Sequence, residues 1–228
     1  MDITYTVKRS AKRKRTISLQ VLNDARVLVS APVFTPADEI HQFIKEKQKW
    51  IDRSILRQKQ DLQIHKAKTY RTGERFLYLG KEYPLETFFE PFENAGVVLW
   101  KDCFYLNAPD NEDLRRHYFI SWYKHKAGEY IGERVEFFNK MLNFSLKGIK
   151  ITSAQSRWGS CSSDDSLAFS FRLIMTPPEI IDYVIVHELI HIKEKNHSPR
   201  FWKRVGAVTP DYKTHRRWLK NNNPCFIL

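Results

Sequence analysis

Two histidines four positions apart, His187 and His191, with Glu188 directly after the first, are the residues whose types and spacing point most directly to chemistry. They lie in the run 180–192, which is apolar almost all round and predicts a buried helix. Residues i and i+4 share one helix face, so both imidazoles can reach one cation at about 2.0 Å. Zinc is the expected ion, one per chain, with nickel and manganese as other divalent candidates. The plain alternative is a pair of core histidines, each satisfied by a carbonyl. Burying three polar side chains on so apolar a helix costs free energy unless something coordinates them.

A third imidazole, His197, stands six residues after His191. Asn196 tolerates the left-handed conformation in which helices commonly end, and Ser198-Pro199 supplies an N-cap and a first-turn proline for a helix over 200–208. The chain therefore turns at His197. Such a turn can fold this ring toward the other two, leaving a fourth position for water, as in catalytic rather than structural zinc sites. Metzincins share the spacing, but here Glu194 occupies their glycine position and no methionine follows His197 to make their Met-turn. With such a ligand set, zinc acidifies its water and polarises a carbonyl, while Glu188 takes the water's proton and later delivers it to the leaving group.

The elements that must position these residues read as a mixed α+β chain. The first thirty or so residues alternate as strands, including a hairpin over 17–30 turning at Leu22-Asn-Asp-Ala25. Thr35-Pro36-Ala-Asp38 opens a long amphipathic helix reaching about Lys66. Short apolar runs punctuated by Gly and Pro predict two or three more strands before Pro109. Period-3.6 spacing from Asn111 to Leu142 predicts a second long helix. Strands over 149–153 and 166–171 then flank a polar turn, and Pro177-Pro178 opens the helix of the two histidines. The division expected is a β-rich region with one long helix over 1–109, part of the same compact unit as a catalytic region over 110–228.

The 228 residues are 42% hydrophobic and 28% charged, which excludes intrinsic disorder and collagen-like repetition. Thirty-eight basic against 26 acidic side chains give a formal charge of +12, a surplus that attracts polyanions without selecting among them. The odd set Cys103, Cys161 and Cys225 reads as free thiols in a reducing compartment. The N-terminus lacks the apolar core of a signal peptide, and no stretch is apolar enough to span a bilayer, so a cytoplasmic address without membrane insertion is expected.

Gln155-Ser-Arg-Trp-Gly-Ser-Cys161, Pro177-Pro-Glu-Ile-Ile-Asp-Tyr-Val184, His187-Glu-Leu-Ile-His191, Asn196-His-Ser-Pro-Arg-Phe-Trp202 and Pro210-Asp-Tyr212 resemble the YgjP-like metallopeptidase family. Upstream, Arg13-Lys-Arg-Thr-Ile-Ser-Leu-Gln-Val21, Lys49-Trp-Ile51 and the stretch 73–80 extend the likeness over about 10–222. That family's active-site core is similar to those of SprT-like and WLM proteases, which cleave proteins attached to DNA. The resemblance implies a zincin-like fold, an active-site helix packed on a small mixed or antiparallel sheet. It also implies His187, His191 and His197 as metal ligands and Glu188 as acid/base.

Other residues carry weaker expectations. Arg157-Trp-Gly-Ser-Cys161 joins two expected strands; it borders a cleft and pairs with an extended peptide, or it is a packed turn in which Trp158 fills core and Gly159 supplies a positive φ. Arg157, Tyr212 and His215 are candidates for steering acidic groups or stabilising an oxyanion. Lys8 and Arg9 with Lys12, Arg13, Lys14 and Arg15 form a basic strip able to contact phosphates, or a solvated hairpin edge. Lys213, His215, Arg216, Arg217 and Lys220 form a second basic cluster. Trp50, Trp100 and Trp122 sit at periodic positions and are expected in the core.

The reading that follows is a zinc-dependent hydrolase acting on protein or peptide, with nucleic acid or nucleotide as a possible partner of its basic surface. One alternative keeps the metal but hydrolyses a nucleotide phosphoanhydride. The other is a non-enzymatic, zinc-containing nucleic-acid-binding module, in which Glu188 would have no purpose.

Overall fold

The computed structural model describes residues 4–22, 26–64, 68–91 and 94–222, with side chains outside 57–64. Its described strands and helices give the expected α+β class. The chain falls into two compact units, Met1–Lys66 and Ala67–Leu228, so the border drawn at 109/110 runs inside the second. No described helix is long and apolar enough to cross a membrane. Cys225 lies outside the described residues, as do residues 23–25 of the expected turn and the expected helix end at Lys66.

In the first unit, β1 (Tyr5–Ser10), β2 (Ser18–Val21) and β3 (Val27–Pro32) are followed by α1 (Ala37–Ile64). β2 and β3 make the expected antiparallel pair, and β1 joins the other edge of β3 in parallel. Strand periodicity turns Val27, Val29 and Ala31 to one side, where Ile40, Ile44 and Ile51 of α1 cover them. The Arg9 guanidinium donates to the carbonyls of Val33 and Thr35, each at 2.7 Å, so this member of the basic strip braces the turn ahead of α1. Lys12, Lys14 and Arg15 are exposed and Arg13 half-buried in the connection between β1 and β2.

The second unit opens with β4 (Arg75–Tyr78), β5 (Lys81–Phe88), β6 (Gly96–Trp100) and β7 (Cys103–Asn107), a mixed sheet of order β4-β5-β7-β6. Four strands stand where two or three were expected. The physical reason is the turn between β6 and β7: Lys101 and Asp102 both hold left-handed φ, 44° and 63°, without the glycine that normally announces such a turn. α2 (Glu112–Leu142) follows, with Asn111 accepting the Leu114 N–H at its start and Asn143 left-handed at its end. Its buried stripe, from Phe119 through Tyr123, Ala127 and Ile131 to Val135, lines the main core, where Phe76 and Phe119 stack at 4.2 Å. Trp122 packs against this core, but Trp50 and Trp100 are 46% and 55% exposed, correcting the expectation that periodic tryptophans are core. Val98 and Trp100 alternate outward on an edge strand, so their periodicity marks a face turned to solvent.

β8 (Gly148–Thr152), β9 (Gly159–Cys161) and β10 (Ser166–Ser170) form a second small mixed sheet of order β8-β10-β9. β8 and β10 are parallel, and β9 lies antiparallel to β10. The segment expected as a turn between two strands therefore contains an edge strand of its own. After a 3-10 turn at Phe171–Met175 come α3 (Pro178–His191), α4 (Pro199–Val208) and α5 (Tyr212–Asn221). α3 lies against β9 and against α2, α4 and α5. Two contacts fix its first half. Arg134 of α2 pairs bidentately with Asp182 at 2.7 Å twice, and Gly80 comes so close to Pro177 that a Cβ there would stand 2.9 Å from the Pro177 Cα.

Candidate metal centre

α3 is buried on nearly every side, with Ile180, Ile181, Val184, Ile185, Val186, Leu189 and Ile190 in the core. The helix is therefore held by packing on most of its faces, and the i, i+4 relation sets His187 and His191 side by side. Their Nε2 atoms are 3.2 Å apart. His197 Nε2 lies 3.1 Å from His191 Nε2 and 3.0 Å from His187 Nε2, so the three make a nearly equilateral triangle. Among the described residues, these three histidines form the group able to hold a metal ion.

Proton counting shows what the triangle suits. His191 Nδ1 lies 2.9 Å from the Glu194 carbonyl and is its donor, which leaves His191 Nε2 a bare lone pair. Lone pairs converging at about 3 Å repel unless a cation lies among them. Three nitrogens on one tetrahedral ion, with bonds of about 2.0–2.1 Å, stand about 3.3–3.4 Å apart, so the residues fit a divalent metal with little adjustment. Burial first, then the neighbouring His191 and His197 and the Arg216 guanidinium, push His187 down to about 3. Burial and the same kind of neighbours lower His197 as well. Neutral imidazole is the form a metal binds.

Where α3 ends, the structure corrects the sequence reading. Ile192 is right-handed and Asn196 has no positive φ; the turn runs through residues 192–195, and the Asn196 side chain accepts the Ser198 N–H at 3.2 Å. Glu194, at the position that set metzincins aside, fixes this turn: its carbonyl orients His191, while its carboxylate meets Arg200 at 2.9 Å and Arg204 at 3.1 Å. Ser198 caps α4 as expected by accepting the Phe201 N–H. Phe201, fully buried, then sits with its ring 4.5–4.9 Å from all three imidazoles and forms the floor of the site.

Glu188 is 7% exposed, and its burial lifts the carboxyl to about 7 against the opposing charge of Arg157. The space it occupies exists because residue 159 is glycine. A Cβ on Gly159 would lie 2.7 Å from Glu188 Cγ and 2.8 Å from Oε1. Gly159 thus serves by close approach in β9, not by the positive φ expected of a turn glycine. Trp158 packs on the core as foreseen, and Cys161 is half-buried with its thiol pushed up, chiefly by burial.

The remaining candidates are spread around the centre. Arg157 is exposed and, with Gly159 and Ser160, lines a recess of about 80 Å³ on the β8-β10-β9 sheet. Tyr212 stacks on Trp202 at 5.3 Å, and Trp202 stacks on His197 at 5.5 Å. The His215 ring lies 6.0 Å from that of Tyr183, one helical turn before His187, and its buried Nδ1 has no partner among the described residues. Lys12, Arg13, Lys14 and Arg15 belong to the first unit. Sequence reasoning gave no role to Gly159 as a spacer, to the Glu194 carbonyl, or to Phe201, Trp202 and Arg216. Only the resemblance around Asn196-His-Ser-Pro-Arg-Phe-Trp202 marked some of them.

A family model described as the YgjP-like metallopeptidase domain matches residues 15–222. The chain belongs to this family. Membership makes the YgjP-like chain a metal-dependent hydrolase, and the three-histidine group is where its described residues can hold the metal. A comparison with curated proteins finds no match. Two crystal structures of metallopeptidase zymogens are similar in part. Abylysin of Pyrococcus abyssi is 21% identical, covers 40% of this chain and 92% of its own, and has a TM-score of 0.36. Jannalysin of Methanocaldococcus jannaschii is 25% identical, with 40% and 95% covered and a TM-score of 0.34.

Proposed function

We propose that this YgjP-like protein is a zinc peptidase in which His187, His191 and His197 hold the ion and Glu188 is the general base. The observation that carries the reading is the convergence of three Nε2 atoms within 3.2 Å of one another beside a buried glutamate. Nitrogen ligands alone favour zinc over magnesium or calcium, which take oxygen. A zinc ion bound there supplies a Lewis acid that acidifies water and polarises the scissile carbonyl.

The protein side of the reaction follows from the site. Glu188, lifted toward neutrality by burial, accepts a proton from the attacking water and returns it to the leaving amine. Gly159 keeps the carboxyl in place, and Glu194 holds the His191 ring in the tautomer that leaves Nε2 free. β9, an edge strand whose backbone touches Glu188, is suited to pair with an extended substrate peptide. Arg157, whose positive charge acts against the upward shift of Glu188, would stabilise a developing oxyanion. The exposed Lys12, Lys14 and Arg15 with Arg13 offer nucleic acid a separate phosphate contact.

Elemental analysis of wild type, Glu188→Gln and His197→Ala, purified without a metal-affinity tag, tests the assignment alongside cleavage of an unfolded protein. About one zinc per chain is expected in the first two and little in the third, with cleavage by wild type alone. A wild type that refuses zinc ends the proposal. Phosphate release from nucleotides, lost with Glu188→Gln, would move it to phosphoanhydride chemistry.

A further inference from the structure

Five arginines of the second unit meet a carboxylate among the described residues. Arg75 pairs with Glu82, Arg115 with Asp110, Arg134 with Asp182, and Arg200 and Arg204 with Glu194. Arg216, on α5, makes no ion pair among the described residues and is exposed. Its guanidinium carbon lies 4.8 Å above the Trp202 ring. Trp202 itself stacks on His197 at an interplanar angle of 21° and on Tyr212 at 17°. The Tyr212 ring is backed in turn by Gly206, where a Cβ would stand 3.3 Å from it. Trp202, stacked on His197, thus carries Arg216 on the aromatic group that borders the histidines.

A cation–π contact consumes none of a guanidinium's hydrogen-bond donors, and their planar fork matches a carboxylate. A guanidinium with no ion pair among the described residues, on a ring that stacks against a metal-ligand histidine, can take an anion. We propose that Arg216 binds a carboxylate of the peptide substrate and so selects substrates carrying one close to the scissile bond. This rests on the peptidase reading above. Two sources share the chemistry, the free α-carboxylate of a chain end and the side chain of an aspartate or glutamate. The first would make the enzyme trim C-termini, the second cut beside acidic residues.

Four matched fluorogenic peptides separate the sources: glutamate or glutamine flanking the bond, each with a free or an amidated C-terminus. With wild type, one carboxylate is expected to raise kcat/KM by about tenfold or more, mainly through KM. Arg216→Gln should erase that preference, Arg216→Lys should restore part of it, and zinc content should stay unchanged. The same peptides are titrated by calorimetry onto chelator-treated protein, where wild type should favour the carboxylate and Arg216→Gln should not. A preference that survives Arg216→Gln overturns the inference, as does an equal fall in kcat for all four peptides. If wild type cleaves none of them, the peptidase reading fails by itself, and equal metal-free binding of all four would remove Arg216 as well.

Discussion

The backbone of Gly159 passes so close to Glu188 that a Cβ at position 159 would stand 2.7 Å from Cγ and 2.8 Å from Oε1 of the carboxylate. Real Cβ atoms do not approach that closely, so any other residue at 159 displaces Glu188. Gly159→Ala is expected to lower kcat by about tenfold or more while zinc content stays at the wild-type level, because a proton acceptor moved by a fraction of an ångström leaves reacting geometry. Steady-state kinetics beside elemental analysis check this; unchanged kcat would show that Glu188 has room to spare.

Burial lifts the Glu188 carboxyl from its ordinary 4.5 to about 7 in the metal-free fold. The folded protein holds this proton more tightly than the unfolded chain, so the stability it contributes is full below about pH 4.5 and lost as pH rises through about 7. Glu188→Gln has no such loss. Denaturant titrations of chelator-treated protein should show the variant gaining on wild type by up to about 3 kcal/mol between pH 4.5 and 7.5. A gap that stays constant with pH would mean that the carboxylate is solvated.

Glu194 fixes the turn whose carbonyl orients His191, through its ion pairs with Arg200 and Arg204. Glu194→Gln should keep the fold and weaken zinc binding by about tenfold, the usual scale for residues that hold a metal ligand in place. Competition against a chromophoric chelator measures it. Equal affinities would leave the carbonyl held by backbone geometry alone.

Phe201 is fully buried against all three imidazoles. Phe201→Ala should cost about 3–5 kcal/mol of stability by leaving a cavity, and the loosened rings should bind zinc less tightly. In wild type, saturating zinc should raise the denaturation midpoint by mass action, and this rise should shrink in the variant. Urea titrations with and without zinc report both effects.

The loop of Lys12, Arg13, Lys14 and Arg15 belongs to the first unit and the histidines of the metal centre to the second. Changing all four to glutamine should reduce the salt slope of duplex DNA binding by about 3–4 and leave peptide cleavage unchanged. A filter-binding series at several salt concentrations decides it, and an unaltered slope would remove this loop from any nucleic-acid contact.

Much of the centre was legible because helix periodicity is a local rule. His187 and His191 share a face at any i, i+4 spacing on a helix, and the apolar run 180–192 announced that helix as buried. Ser198 and Pro199 likewise announced the start of α4, since capping needs only the first turn. The α+β class, both long helices and the hairpin of β2 and β3 were readable on the same grounds. The β6–β7 turn was not, because two non-glycine residues adopt left-handed φ there.

What the sequence by itself determined, then, is a pair of imidazoles and a carboxylate on a buried helix, with a third histidine at a turn. Only the tertiary structure decided that His197 closes the triangle, that β9 brings Gly159 against Glu188, and that Trp202 stacks on His197 and meets Arg216. Those relations join residues on different elements. Their distances are set by strand pairing and helix packing rather than by any period along the chain, so no spacing rule contains them.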